Sequence, residues 1–145
     1  MAGLTAGGLL GVPVRLGGIQ LGHVADVILD VERRRALGLE VACGDEERRF
    51  LPVSVASLDE HEVQLSSPLV LLNASELAFY TTRGSTFRAL RGTTVVRNRA
   101  TLGRLDDLVL AAGGPIARLV VGGEEVAYTD DVRVGAPGTD VRRAS

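Results

Sequence analysis

The fold is decided by residues 11–29, GVPVRLGGIQLGHVADVIL, which recur with changes as residues 92–110, GTTVVRNRATLGRLDDLVL. The two stretches are related by an offset of 81 residues. The alternating residues 37–41 also match residues 117–121 once one residue is dropped. The matched polar and glycine positions are Gly22 and Asp26 in the first stretch and Gly103 and Asp107 in the second. Similarity at a fixed spacing is the signature of a repeated structural unit, so the sequence predicts two copies of one small unit.

Each unit has the pattern of short strands. Runs rich in Val, Leu and Ile are separated by clusters of Gly, Asp and Glu, which is typical of antiparallel strands joined by tight turns. The strands predicted in the first copy are residues 13–16, 22–31, 36–43, 48–53 and 62–66. A sheet of this kind must hide its edges, and closing into a barrel does so. We therefore predict a mainly β fold made of two small antiparallel β-barrels in tandem.

A helix is predicted between the two copies, over residues 75–83, where Asn73 or Ser75 could cap it and Gly84 could end it. The sequence then divides into five segments. They are a flexible Gly-rich lead at 1–10, a first barrel unit at 11–72, a helical connector at 73–91, a second barrel unit at 92–134, and a disordered tail at 135–145.

Composition narrows the classes of function. The chain has 145 residues, 46% of them hydrophobic and 3% aromatic, with a formal net charge of −2, so a globular core of Val, Leu and Ala is expected. All sixteen basic residues are Arg, which excludes a P-loop lysine and a Schiff-base lysine. Cys43 is the one cysteine, so an intrachain disulfide framework and a cysteine-based zinc site are excluded.

Targeting signals are not evident in the sequence. Residues 1–10 lack the positive charge of a secretory signal, and every apolar run is far shorter than the roughly 20 residues that a membrane helix needs. We therefore expect a cytoplasmic protein without a transmembrane segment.

The quoted residues also resemble a known family. Gly11-x-Pro13-Val14, Leu21-Gly22-x-Val24-x-Asp26-Val27, the strand over 37–41 and Phe50-Leu51-Pro52 followed by Val55 are similar to the PRC-barrel domain. Residues 92–121 look like a second unit of this family, so that the resemblance covers about residues 11–134. Tyr128 is expected at the position of Phe50, although no Leu-Pro pair follows it.

The resemblance implies a fold more than a reaction. The family includes the cytoplasmic domain of the photosynthetic reaction-centre H subunit and the C-terminal domain of a maturation factor for the small ribosomal subunit. In both, the barrel docks onto other macromolecules. We therefore expect a non-catalytic interaction or adaptor module whose partner is a protein or ribonucleoprotein assembly. Direct binding to nucleic acid, peripheral contact with a membrane and a homo-oligomer stay open as alternatives.

Two carboxylates stand out because both copies have them. Asp26 and Asp107 each lie within an apolar stretch, where a carboxylate must be hydrogen-bonded or paired. They are either structural carboxylates that accept backbone N–H groups from the turns near Gly22 and Gly103, or proton carriers with a raised pKa. A structural role explains why the residue occurs twice, whereas a catalytic role does not require it, and we favour the structural interpretation.

Catalytic motifs are not recognisable in the chain. His23 lies three residues before Asp26, so on a strand the two side chains point to opposite faces. The sequence has no nucleophile elbow, dinucleotide-binding glycine motif or HExxH motif. The prediction is a protein that is not an enzyme and that holds no cofactor and no metal. The catalytic alternative requires Asp26, Asp107 and His23 to converge in three dimensions.

Charge is segregated along the chain. Residues 1–82 carry a net charge of −5 and residues 105–145 a net charge of −3, whereas residues 83–104 hold six arginines and no acid. We name this set the arginine stripe; its members are Arg83, Arg88, Arg91, Arg97, Arg99 and Arg104. Arginine suits bidentate contacts with carboxylate or phosphate, so these are the predicted partner-binding residues, toward an acidic protein, ribosomal RNA or an anionic lipid surface. The alternative is that they pair internally with Asp and Glu.

Overall fold

The computed structural model describes residues 4–67 and 70–135, and this part of the chain is mainly β. The strands are β1 (Leu4–Thr5), β2 (Pro13–Leu16), β3 (Ile19–Asp30), β4 (Arg35–Cys43), β5 (Arg48–Pro52), β6 (Ala56–Leu58), β7 (Val63–Leu65), β8 (Ser85–Thr86), β9 (Thr94–Arg97), β10 (Ala100–Leu110), β11 (Ile116–Val121), β12 (Glu124–Ala127) and β13 (Val132–Val134). The helices are α1 (Ala6–Leu9), α2 (Ala74–Arg83) and α3 (Phe87–Leu90), with a 3-10 turn at Val53–Val55. The predicted mainly β class is confirmed.

The described strands form two sheets. One has seven strands in the order β5-β4-β3-β2-β7-β6, with β8 added to β3. The other has six strands in the order β12-β11-β10-β9-β13, with β1 added to β10. In the first sheet the predicted strand at 13–16 coincides with β2, and β3 begins at Ile19, earlier than predicted. It begins there because Gly17, at φ +61°, allows a tight turn directly after β2.

The prediction that all strands run antiparallel is wrong at one place. Strand β7 pairs with β2 in the parallel sense, with Val14 opposite Val63 and Leu16 opposite Leu65. The 3-10 turn after β5 and the β6–β7 hairpin carry the chain back across the sheet, so that β7 arrives beside β2 running the same way. A parallel pair needs a long crossover, and β3 to β6 supply it here.

The Gly-rich start is not a flexible lead over its described residues. Thr5 caps α1 by accepting the N–H of Gly8 at 3.0 Å, and the side chains of Ala6 and Leu9 are completely buried. Strand β1 pairs with Val109 and Leu110, which belong to the six-stranded sheet. Strand β1 therefore completes the six-stranded sheet, whose other strands all lie after residue 93.

A second short segment makes the opposite contribution. Strand β8 pairs with Ile28 and Leu29 of β3, and Thr86 caps α3 by accepting the N–H of Ala89 at 3.3 Å. The segment β8–α3 thus precedes the six-stranded sheet in sequence but completes the seven-stranded one. Segment β1–α1 does the reverse, because it precedes the seven-stranded sheet in sequence but completes the six-stranded one. We call β1–α1 and β8–α3 the leading segments.

The two sheets share one apolar core. Completely buried side chains come from both sheets and from both leading segments, among them Leu9, Val27, Leu39, Leu51, Phe87, Val95 and Leu119. Two hydrogen bonds also join the sheets directly, from the N–H of Ala36 to the carbonyl of Gly114 at 2.7 Å and from the N–H of Ile116 to the carbonyl of Arg34 at 2.8 Å. The sheets therefore stabilise each other.

Helix α2 covers residues 75–83, where the sequence predicts a helix. Asn73 caps it through a hydrogen bond from the N–H of Glu76, and the helix ends at Gly84. It has no buried residue and lies against the sheet through Tyr80, whose ring stacks on Phe50 with 4.2 Å between centroids. Among the described helices none is long and apolar enough to cross a bilayer. Residues 136–145 of the predicted tail lie outside the described part.

Leu9→Ala tests whether the start of the chain is part of the core. Because the side chain is fully buried, we expect the free energy of unfolding to fall by about 2–5 kcal/mol, measured by urea unfolding. Leu102→Ala is the control, since Leu102 is an exposed apolar residue and its truncation should change stability by less than about 0.5 kcal/mol. Equal small effects for both variants would show that α1 does not contribute to the core.

Candidate functional site

Asp26 is held at a bulge of β3 by backbone N–H groups. Its side chain is 7% exposed, and its Oδ1 accepts the N–H of Val27 at 2.8 Å and the N–H of Arg88 at 3.1 Å. The Arg88 guanidinium turns away from this carboxylate, and its Nε donates to the carbonyl of Ala25 at 2.8 Å. The carboxylate therefore binds the backbone of α3, not an arginine side chain.

Asp107 makes the same contacts on β10. Its Oδ1 accepts the N–H of Leu108 at 2.8 Å and the N–H of Gly7, in α1, at 2.8 Å. A Cβ at Gly7 would lie 2.7 Å from Oδ2 of Asp107, so a side chain at position 7 would force the carboxylate to move. The glycine is required for this close approach.

The donors to the two carboxylates are not the ones expected from the sequence. We predicted N–H groups from the turns near Gly22 and Gly103, but the donors come from α1 and α3, the leading segments that the two sheets exchange. The nature of the bonds, backbone N–H to carboxylate, agrees with the structural interpretation of Asp26 and Asp107. Asp107 thus holds α1 on β10, and Asp26 holds α3 on β3.

The two histidines lie apart from these carboxylates. His23 is exposed on β3, and in the described residues no hydrogen bond or ion pair joins it to Asp26 or Asp107. His61 is in an exposed turn, where its N–H donates to Asp59 at 2.8 Å. No group of three or more His, Cys, Asp or Glu within residues 4–67 and 70–135 is placed to hold a metal ion.

Cys43 is a partly buried thiol at the end of β4. Burial raises its pKa above the usual value, and the neighbouring Arg49 opposes that shift only in part. A raised pKa keeps the thiol protonated and poorly nucleophilic at neutral pH. Arg49 instead pairs with Asp45 at 2.7 Å.

The arginine stripe is held by contacts that leave most of its charge unpaired. Arg83 lies over the ring of Phe79 at 4.8 Å, and Arg91 lies over the ring of Phe87 at 5.6 Å. The guanidinium of Arg104 donates to the carbonyl of Gly92 at 3.3 Å. These contacts orient the cations without neutralising them.

One member of the stripe has an acidic partner. Arg97 lies 3.8 Å from Asp131, whereas the other five arginines have no carboxylate within 4.0 Å among the residues that the structure describes. Several arginines elsewhere are paired, with Arg48 next to Glu40 and Arg118 next to Glu125. Internal pairing, the alternative for the stripe, therefore accounts for Arg97 and not for its neighbours.

Tyr128 is a buried polar residue that the sequence analysis placed wrongly. Phe50 lies opposite Glu40 in the β4–β5 pair, and the matching position in the β11–β12 pair is Glu125, opposite Val120. Tyr128 follows the end of β12 as Val53 follows the end of β5. Its hydroxyl donates to the carbonyl of Val31 at 3.1 Å. The difference lies in the turns, because five residues (43–47) separate the paired residues Ala42 and Arg48, whereas two (122–123) separate Val121 and Glu124.

Comparison with known proteins adds no relative. The chain matches no model of a protein family and no curated protein sequence. The PRC-barrel resemblance therefore rests on the residues quoted for it, and function rests on the geometry of the carboxylates and of the arginine stripe.

Removing the carboxylate of Asp26 or of Asp107 should destabilise the fold. In Asp26→Ala or Asp107→Ala two backbone N–H groups lose their acceptor, and we expect a loss of about 1–3 kcal/mol in the free energy of unfolding for each N–H left unsatisfied. Asp130→Ala, at an exposed carboxylate, is the control and should change stability by less than about 0.5 kcal/mol. Wild-type stability in both Asp variants would contradict the structural role.

Tyr128 should make stability decline at alkaline pH. Burial raises its pKa above the usual value near 10, so the neutral phenol is favoured in the folded state. Its contribution is complete below the pKa of the unfolded chain and is lost as the pH rises through the folded-state pKa. Tyr128→Phe should remove this part of the decline in urea unfolding between about pH 9 and 11.5, and the control Tyr80→Phe should retain it. An identical decline in Tyr128→Phe would assign it to other groups.

Proposed function

We propose that this chain is a tandem pair of PRC-type barrel units with a helical connector, acting in the cytoplasm as a non-catalytic module that docks onto another protein. Hydrogen bonds that recur at an offset of 81 residues support the two-unit organisation. The cap at Thr5 corresponds to the cap at Thr86, and the bond from Gly7 to Asp107 corresponds to the bond from Arg88 to Asp26.

The same offset relates the backbone contacts around each leading segment. The N–H of Gly11 donates to the carbonyl of Val24, and the N–H of Gly92 donates to the carbonyl of Leu105, each at 2.8 Å. The N–H groups of Val24 and Leu105 in turn donate to the carbonyls of the residues at 12 and 93. Such agreement in hydrogen bonds, in addition to the agreement in sequence, favours duplication of one unit over chance similarity.

A non-catalytic role is supported by how the carboxylates are used. In Asp26 and in Asp107, Oδ1 accepts hydrogen bonds from two backbone N–H groups, and these bonds hold the fold together. A general acid or base must reach a substrate, and it is typically placed in a concave site with a partner that orients it. His23, the one histidine near either carboxylate in sequence, is exposed and bonded to neither.

The arginine stripe carries the docking proposal. Arg83, Arg88, Arg91, Arg99 and Arg104 are exposed, and they bear charges that no described carboxylate neutralises within 4.0 Å. Ring stacking and bonds to carbonyls reduce the freedom of Arg83, Arg88, Arg91 and Arg104 before binding. A partly ordered set of guanidinium groups loses less side-chain entropy on binding, which favours a charge-complementary partner. We propose the acidic surface of a partner protein.

Phosphate is the second candidate, as ribosomal RNA or an anionic lipid surface. The same unpaired guanidinium groups favour it, because their fork geometry suits phosphate oxygens as well as carboxylates. The two candidates differ in salt dependence. Binding to single-stranded RNA should weaken by about 0.7 log units per log unit of salt for each phosphate contact, whereas a protein interface with an apolar centre should weaken less.

Charge reversal in the stripe tests the docking proposal. The full chain carrying Arg91→Glu and Arg104→Glu should capture at least about tenfold less partner from its native extract than the wild type, because two favourable contacts become repulsive. The control carries Arg33→Glu and Arg48→Glu, which changes the net charge equally at arginines that lie near Asp30 and Glu40. It should capture as much partner as the wild type. Equal capture by both double variants would remove the stripe from any binding surface.

Nuclease treatment of the same extract separates the candidates. Partners that stay bound after nuclease treatment and in moderate salt support docking onto protein. Partners that disappear with nuclease support the RNA alternative, and recovery on vesicles that contain anionic lipid supports the membrane alternative.

A further inference from the structure

Phe79 is an exposed aromatic residue in a chain that has few aromatic residues. Of the three phenylalanines and two tyrosines, Phe79 is the one that is exposed, at 50%. Helix α2 does not need this ring for packing, because its neighbour Tyr80 makes the stack on Phe50 that places the helix against the sheet. The core therefore does not account for an aromatic side chain at position 79.

Two neighbours hold the ring of Phe79 in place. The ring of Tyr80 meets it edge-to-face, with 5.1 Å between the centroids and 87° between the planes. The guanidinium of Arg83, one helical turn later, lies over one face of the ring at 4.8 Å from its centroid. Since the residue is still half exposed, the opposite face is open to solvent. A ring that is already ordered loses little side-chain entropy when a partner covers that face.

Arg83 adds an unpaired positive charge next to this ring. It belongs to the arginine stripe and has no carboxylate within 4.0 Å in the described ranges 4–67 and 70–135. A guanidinium that lies over a ring keeps N–H groups at its edge, and these suit a carboxylate. The end of α2 thus presents an apolar face and a carboxylate-binding group side by side.

We propose that Phe79 and Arg83 bind an acidic segment of the partner protein in which an apolar side chain stands next to a carboxylate. The apolar side chain covers the open face of Phe79, and the carboxylate pairs with Arg83. This proposal rests on the docking function proposed above, and it adds an apolar anchor to a surface that is otherwise described by charge alone. Aromatic and arginine side chains are the ones that most often dominate the centre of a protein interface.

RNA fits this surface less well than an acidic protein segment does. Proteins that bind single strands align several aromatic rings, on which successive bases stack. Here Phe79 has no aromatic companion that is open to a base. Tyr80 is stacked on Phe50. Phe87 and Tyr128 are buried. One open ring next to one cation suits a single apolar side chain and a single carboxylate.

Titration of the full chain with two capped peptides, followed by amide NMR, tests the proposal. One peptide has a phenylalanine between two pairs of glutamates, and the other has an alanine in its place. We expect saturable shifts at residues 79–83, and we expect the phenylalanine peptide to bind about twofold to tenfold more tightly, the range for one aromatic pair. Added salt should weaken both peptides and preserve this ratio, because it screens the charges alone. Equal affinities, or shifts confined to other residues, would overturn the proposal.

Phe79→Ala should remove the preference for the phenylalanine peptide. The variant should fold, because α2 has no buried residue. Ile19→Ala is the matched control, since Ile19 is apolar and still more exposed, at 66%, but lies on β3. It should keep the wild-type ratio of affinities. A preference that persists in Phe79→Ala, or that falls equally in both variants, would show that Phe79 is not the anchor.

Oligouridylate, titrated in parallel, examines the RNA alternative. We expect Phe79→Ala to leave its binding unchanged. If the substitution weakens the binding of oligouridylate and leaves both peptides unaffected, the ring stacks on bases and the proposal is wrong.

This proposal and the docking proposal fail separately. Arg91→Glu with Arg104→Glu tests capture by the stripe and leaves Phe79 and Arg83 in place. Unaltered capture by that double variant, together with the expected ratio of peptide affinities, would reject the docking role of the stripe alone. Lost capture, together with equal affinities for the two peptides, would reject the apolar anchor alone.

Discussion

A carboxylate in the middle of a strand is tolerable only if backbone donors reach it, and this requirement organises the whole molecule. Asp26 and Asp107 each bind the N–H of the next residue and one N–H from a short helix, which is α3 for Asp26 and α1 for Asp107. Without the helix, each carboxylate would keep one donor inside a largely apolar environment, which is costly. The helices α1 and α3 are fixed in turn by the carboxylates. Each sheet therefore supplies a part of the other, and neither has its full complement of strands alone.

Local patterns predicted the parts of the fold that local chemistry determines. Alternation of apolar residues located β2 to β5 to within about three residues, and the capping residue Asn73 with Gly84 located α2. The parallel pairing of β7 with β2 could not be predicted in this way. Strand direction depends on the path of the intervening chain, which leaves no mark on the period of either strand.

The prediction of a flexible lead at residues 1–10 failed for a different reason. Glycines at positions 7 and 8 suggested flexibility, because glycine is free to adopt many conformations. At position 7 the glycine is instead required by contact with a carboxylate at position 107, and the pattern around residue 7 contains no trace of that contact. The arginine stripe and the two carboxylates were found because segregated charge and a recurring pattern are visible in the sequence. Tyr128 was misplaced because the turn between β11 and β12 is shorter than the turn between β4 and β5, which shifts every later position.

The hydrogen bond from Gly7 to Asp107 spans 100 residues, and this has a consequence for the order of events during synthesis. Helix α1 is synthesised well before the strand that receives it, because Gly7 and Asp107 are 100 residues apart. Until then Ala6 and Leu9 have no core to enter. Contacts so distant in sequence slow folding, because the chain must first close a long loop. Helix α1 is thus among the last parts of the described fold to become native, and a nascent chain that stalls before β10 exposes Ala6 and Leu9 to chaperones.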